Sequence, residues 1–66
     1  MIDYSPLWET LTRKKLNRNS LKKNPGIASS TLAKLGKNEI VSLNIIDQIC
    51  NELDCDISDV IKHVKE

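Results

Sequence analysis

Apolar residues recur along the chain at three- and four-residue intervals, separated by short polar clusters. Tyr4, Leu7, Trp8 and Leu11 fall on one side of a helix, a period near 3.6 rather than 2. Ser5-Pro6 marks the start of that helix, with Ser5 as the capping acceptor and Pro6 pre-set for the first helical position. Glu9 follows in the first turn, where the helix dipole favours an anion. Arg13-Lys14-Lys15 closes the segment. The spacing therefore predicts a first helix from about Pro6 to Lys15.

Asn17 can cap a short second helix, Arg18 to Lys23, with Leu21 inward. Asn24-Pro25-Gly26 stops it, because proline cannot continue a helix and glycine permits a sharp reversal. Ile27 is the apolar anchor of that turn. Ser29-Ser30-Thr31 opens a third helix with Leu32 and Leu35 inward and Lys34 outward, ended by Gly36 or Asn38. Ser42 caps a fourth helix, Leu43 to Leu53, whose stripe is Leu43, Ile46, Ile49 or Cys50, and Leu53. Ile45 lies off that stripe. After Asp54, Asp56 caps a fifth helix with Asp59 in its first turn and Ile57, Val60, Ile61 and Val64 inward. No β-branched run of period 2 rises above this pattern, although Ile40-Val41 can be briefly extended. Five short helices on tight loops predict an all-α domain spanning residues 1–66.

Size narrows the function. Sixty-six residues, 39% hydrophobic and 29% charged, bury only about 60% of the surface their unfolded chain exposes. That leaves little room for a deep, water-excluding catalytic pocket. His63 has only Asp59 at helical spacing, and the Asp54, Asp56 and Asp59 cluster is explained by capping, so no nucleophile, base and orienting group converge. The expectation is that the chain is not an enzyme. No stretch approaches the roughly 18 apolar residues of a membrane span. Met1 to Leu11 lacks the basic-then-apolar pattern of a secretory signal, so the expected location is the cytoplasm. Cys50 and Cys55 are then expected as reduced thiols, with Cys50 a small core hydrophobe. With His63 they make three soft ligands, short of a zinc tetrahedron. Neither a metal nor a cofactor is expected, and no small-molecule ligand is evident.

Charge adds what composition hides. The net charge is +1. Up to Asn38, however, eight cations (Arg13, Lys14, Lys15, Arg18, Lys22, Lys23, Lys34, Lys37) face two anions, Asp3 and Glu9. Beyond it, Lys62 and Lys65 face seven anions. A chain split this way presents one cationic surface, the footprint of a polyanion binder.

The cationic half holds a recognisable geometry. Two helices joined by a tight turn need a glycine at the corner and apolar residues on both inner faces. Leu21, Gly26, Ile27, Leu32 and Leu35 supply them. With Leu7-Trp8 before, Ser30-Thr31-Leu32-Ala33-Lys34-Leu35 within, and the Ile49 to Ile57 ending after, nearly the whole chain resembles the Cro/repressor-type (XRE-like) helix-turn-helix regulators, in particular their small stand-alone bacterial members. The resemblance implies a lambda-repressor-like domain and a sequence-specific DNA-binding transcriptional regulator. It implies that Ser29, Ser30, Thr31 and Lys34 meet base edges in the major groove of double-stranded DNA. It also implies phosphate contacts from Arg18, at the start of the second helix, and from Lys37 and Asn38 after the third.

Three positions depart from the family pattern. Lys22 stands where alanine is common, so its stem must snorkel outward. Pro25 replaces an inward-packing residue. Ala28 replaces a Ser or Thr cap, which leaves the start of the third helix open by one residue. The thin core and the off-stripe Ile45 suggest a homodimer. The competing reading is a protein-interaction module of the same fold, antitoxin-like or anti-activator, without autonomous DNA binding.

Overall fold

The computed structural model describes residues 1–23 and 27–65. In chain order it has β1 (Ile2–Asp3), α1 (Ser5–Arg13), a first 3-10 helix (Arg18–Lys23), α2 (Ser29–Gly36), α3 (Leu43–Leu53), a second 3-10 helix (Ile57–Asp59) and β2 (Lys62–His63). The helical class expected from the periodicity holds, but the five helices are three α-helices and two 3-10 helices. The Asn24-Pro25-Gly26 stop lies outside the described residues. Among the described residues, no helix is long and apolar enough to cross a membrane.

Each amphipathic stripe faces a common centre. Tyr4, Leu7 and Leu11 of the first segment, Leu21, Ile27, Leu32 and Leu35 of the middle, and Ile46, Ile49, Leu53 and Val60 of the last form one buried cluster. Trp8, Ile45 and Cys50 are half-buried against it. Leu43 does not join its predicted stripe and is 73% exposed. As the first residue of α3 it overhangs the edge of the core instead of filling it. Burial pushes both the Cys50 and the Cys55 thiol up from their ordinary value.

The α1 start differs from the expected cap. Tyr4, not Ser5, is the N-cap residue, and Asp3 Oδ1 accepts from both the Ser5 N–H (3.0 Å) and the Ser5 hydroxyl (2.8 Å). Ser5 thus spends its hydroxyl as a donor, and Glu9 falls beyond the first turn. Asn17 and Ser42 do cap as expected, accepting from Ser20 N–H (3.2 Å) and Ile45 N–H (3.4 Å).

Among the described residues, the three α-helices end alike. The N–H groups of Leu16, Glu39 and Cys55 donate back to the carbonyls of Leu11, Lys34 and Cys50. Such a reversal needs a left-handed residue, and Lys15, Asn38 and Asp54 have φ of 58°, 57° and 50°. Asn38 therefore ends α2, while Gly36 stays helical. The left-handed turn at Lys15 also stops α1 two residues short of its expected end.

No fifth α-helix forms. Asp56 and Asp59 make a reciprocal capping box, but the helix lasts three residues. The chain then extends and pairs antiparallel with the N-terminus, Ile2 opposite His63 and Asp3 opposite Lys62. Met1 and Val64 exchange main-chain hydrogen bonds at 2.6 and 2.8 Å. Ile57, Val60, Ile61 and Val64 are all β-branched, stiff in a helix and well suited to extended backbone. The main chain at Ile2 and Asp3 takes its hydrogen-bond partners from this segment. Val60 is buried, whereas Ile57 and Val64 are exposed rather than inward.

Candidate nucleic-acid interface

Leu32 and Leu35 are buried, so α2 is held by one face and must turn the other to solvent. Leu21 of the first 3-10 helix and Ile27 before α2 are buried with them. Ala28 is the N-cap residue in extended backbone, without a side-chain cap. Ser29 is therefore the first helical residue, which closes the one-residue ambiguity in register. Ser29, Ser30, Ala33, Lys34 and Lys37 are exposed, and Thr31 is half-buried at the side of the helix. Ser30, Ala33, Lys34 and Lys37 share one outward stripe at i, i+3, i+4 and i+7. Ala33 had no assigned role in the sequence, yet the spacing that set Lys34 outward places it alongside.

Lys22 is exposed, so its stem clears the junction between the two helices. Arg18 opens a six-residue 3-10 helix, and its guanidinium lies over the Trp8 ring, 4.2 Å from the centroid. On another side it approaches α2 closely enough that a Cβ built on Gly36 would sit 3.1 Å from Nη1. Trp8 thus packs against the core, as expected, and also carries a cation. In the sequence Gly36 reads only as a possible end of this helix, so nothing there marks the approach of Arg18.

The loop leaving α2 is fastened by Tyr4. Its N–H donates to Asn38 Oδ1 (3.1 Å) and its hydroxyl to the Glu39 carbonyl (2.7 Å). Tyr4 is 1% exposed, and burial pushes its phenol up from the ordinary value. Lys37 and Asn38 are consequently fixed at the end of α2, with Asn38 using its side-chain oxygen internally. Arg18, Lys22, Lys34 and Lys37 are all exposed, so hydroxyls and cations stand around one helix anchored by Leu32 and Leu35.

Residues 6–66 match the family model of the Cro/C1-type HTH DNA-binding domain. Among solved structures, the crystal structure of transcriptional regulator VanUg (Form II) is similar at 40% sequence identity and a TM-score of 0.90, covering 98% of this chain and 87% of that one. No curated protein matches the chain.

Proposed function

The chain belongs to the Cro/C1-type HTH DNA-binding domain family, and we propose that it is a sequence-specific transcriptional regulator that inserts α2 into the major groove. The observation that carries this reading is the two-sided character of α2: Leu32 and Leu35 buried, and Ser29, Ser30 and Lys34 exposed beside Arg18 and Lys37. The cationic face steers the approach. Arg18, Lys37 and the free amide donor of Asn38 hold phosphates and set the register without reading sequence. Lys34 donates to guanine O6 or N7, and the Ser29, Ser30 and Thr31 hydroxyls meet either donors or acceptors. Short hydroxyl side chains at three of these four positions favour water-mediated contacts.

One eight-residue helix reaches few base pairs, so a homodimer on two half-sites is part of the proposal. Ile45 no longer supports it, being packed against the core. The support shifts to Ile40, Leu43 and Ile57, which remain exposed around two hollows of about 410 and 220 Å³ that meet at Leu43 and Ile46. The test is duplex affinity by fluorescence anisotropy across a salt series, beside sedimentation of the free and bound chain. A steep loss of affinity with salt is expected from displaced counterions. An absence of duplex binding at any salt overturns the reading.

A further inference from the structure

We infer that Trp8 and Gly36 are positioning residues for the Arg18 phosphate contact, an inference that rests on the DNA reading above. Arginine is long and loses side-chain freedom when it clamps an anion. A guanidinium already held in place loses less on binding. Two features hold this one. The Trp8 ring attracts it through its negative face. Gly36, by lacking a side chain, leaves space beside the α2 backbone for Nη1. Trp8 is itself anchored by packing against the core, so the charge is referenced to the same body that carries α2. The stack on Trp8 ties Arg18 to α1, and the approach to Gly36 sets it against α2.

Gly36 offers a test in which stability and binding move in opposite directions. Its backbone is helical without a positive φ, so alanine fits the conformation and favours the helix. The atom it meets is the flexible tip of Arg18. The new methyl group therefore displaces the guanidinium and spares the fold. Gly36→Ala is expected to hold or raise the urea midpoint while weakening binding to a mixed-sequence duplex at low salt by about three- to fivefold. Trp8→Leu, which keeps an apolar side chain against the core but no ring, is expected to weaken binding similarly, and Trp8→Phe to recover part of the loss.

The decisive comparison repeats both substitutions in an Arg18→Ala background, where neither is expected to weaken binding further. If Gly36→Ala leaves wild-type affinity intact, or lowers it equally with and without Arg18, the inference is overturned and the DNA reading stands. If the wild-type chain binds no duplex, both are overturned.

Discussion

The Arg18 guanidinium rests on the Trp8 ring at 4.2 Å from its centroid, joining the start of the first 3-10 helix to α1. A phosphate contact of this kind depends on a planar, delocalised cation. Lysine keeps the charge but carries a compact, strongly hydrated ammonium. Arg18→Lys is therefore expected to bind duplex more weakly than wild type, and Arg18→Ala to weaken all sequences alike while reducing the salt slope by about one per bound protomer. Affinity measured against salt on two unrelated duplexes checks both. Sequence-dependent losses would assign Arg18 to base reading.

Lys34 is the one cation among the four proposed base-reading residues and stands on the exposed stripe of α2. Lys34→Ala is expected to cost about 1–3 kcal/mol on the preferred site and to relax discrimination there. Competition between the preferred duplex and single-base variants reads this out. An equal loss on every variant would make Lys34 a phosphate contact only.

The left-handed helix ends separate two kinds of capping residue. Lys15 has φ of 58° and a largely exposed side chain, a conformation that costs a non-glycine residue roughly 1–2 kcal/mol. Lys15→Gly is expected to stabilise the fold by a fraction of that cost, since glycine also loses more entropy on folding. Asn38 shares the conformation but accepts the Tyr4 N–H. Asn38→Gly removes that bond, which typically contributes about 0.5–1.5 kcal/mol, and is expected to bring no net gain. In urea unfolding, Lys15→Gly should raise the midpoint and Asn38→Gly should not. A shared stabilisation would mean the Tyr4 bond contributes nothing.

Acid should loosen the terminal pairing. The two hydrogen bonds from Ser5, hydroxyl first, hold the Asp3 carboxyl below its ordinary value of 3.8; burial opposes them, and Lys62 at 3.8 Å assists. A depressed folded value means the contribution is present above the unfolded pKa and fades as pH falls through the folded one. The urea midpoint of wild type should exceed that of Asp3→Asn at neutral pH, with the gap closing below 3.8. A gap that persists in strong acid would contradict the assigned cause.

Which features were legible in the sequence follows from how local their causes are. The Leu43–Leu53 helix and its Ser42 cap were predicted with both ends correct, because periodicity and a capping oxygen lie within four residues of each other. The Leu32 and Leu35 anchors were legible for the same reason. The chain after Asp59 was not, since its helical spacing of β-branched residues was overridden by main-chain partners some sixty positions away. Leu43 belongs to its stripe by number but overhangs the core by position. The Arg18 stack joins residues from three segments, and no local pattern in the sequence marks it.

The most direct measurement is selection of bound fragments from randomised duplex by the purified chain, repeated with Lys34→Ala. Convergence on paired half-sites about 10 base pairs apart, with guanine preference lost at one position per half-site in the variant, is the expected result. Failure of the wild-type chain to enrich any sequence would contradict α2 as a reading helix.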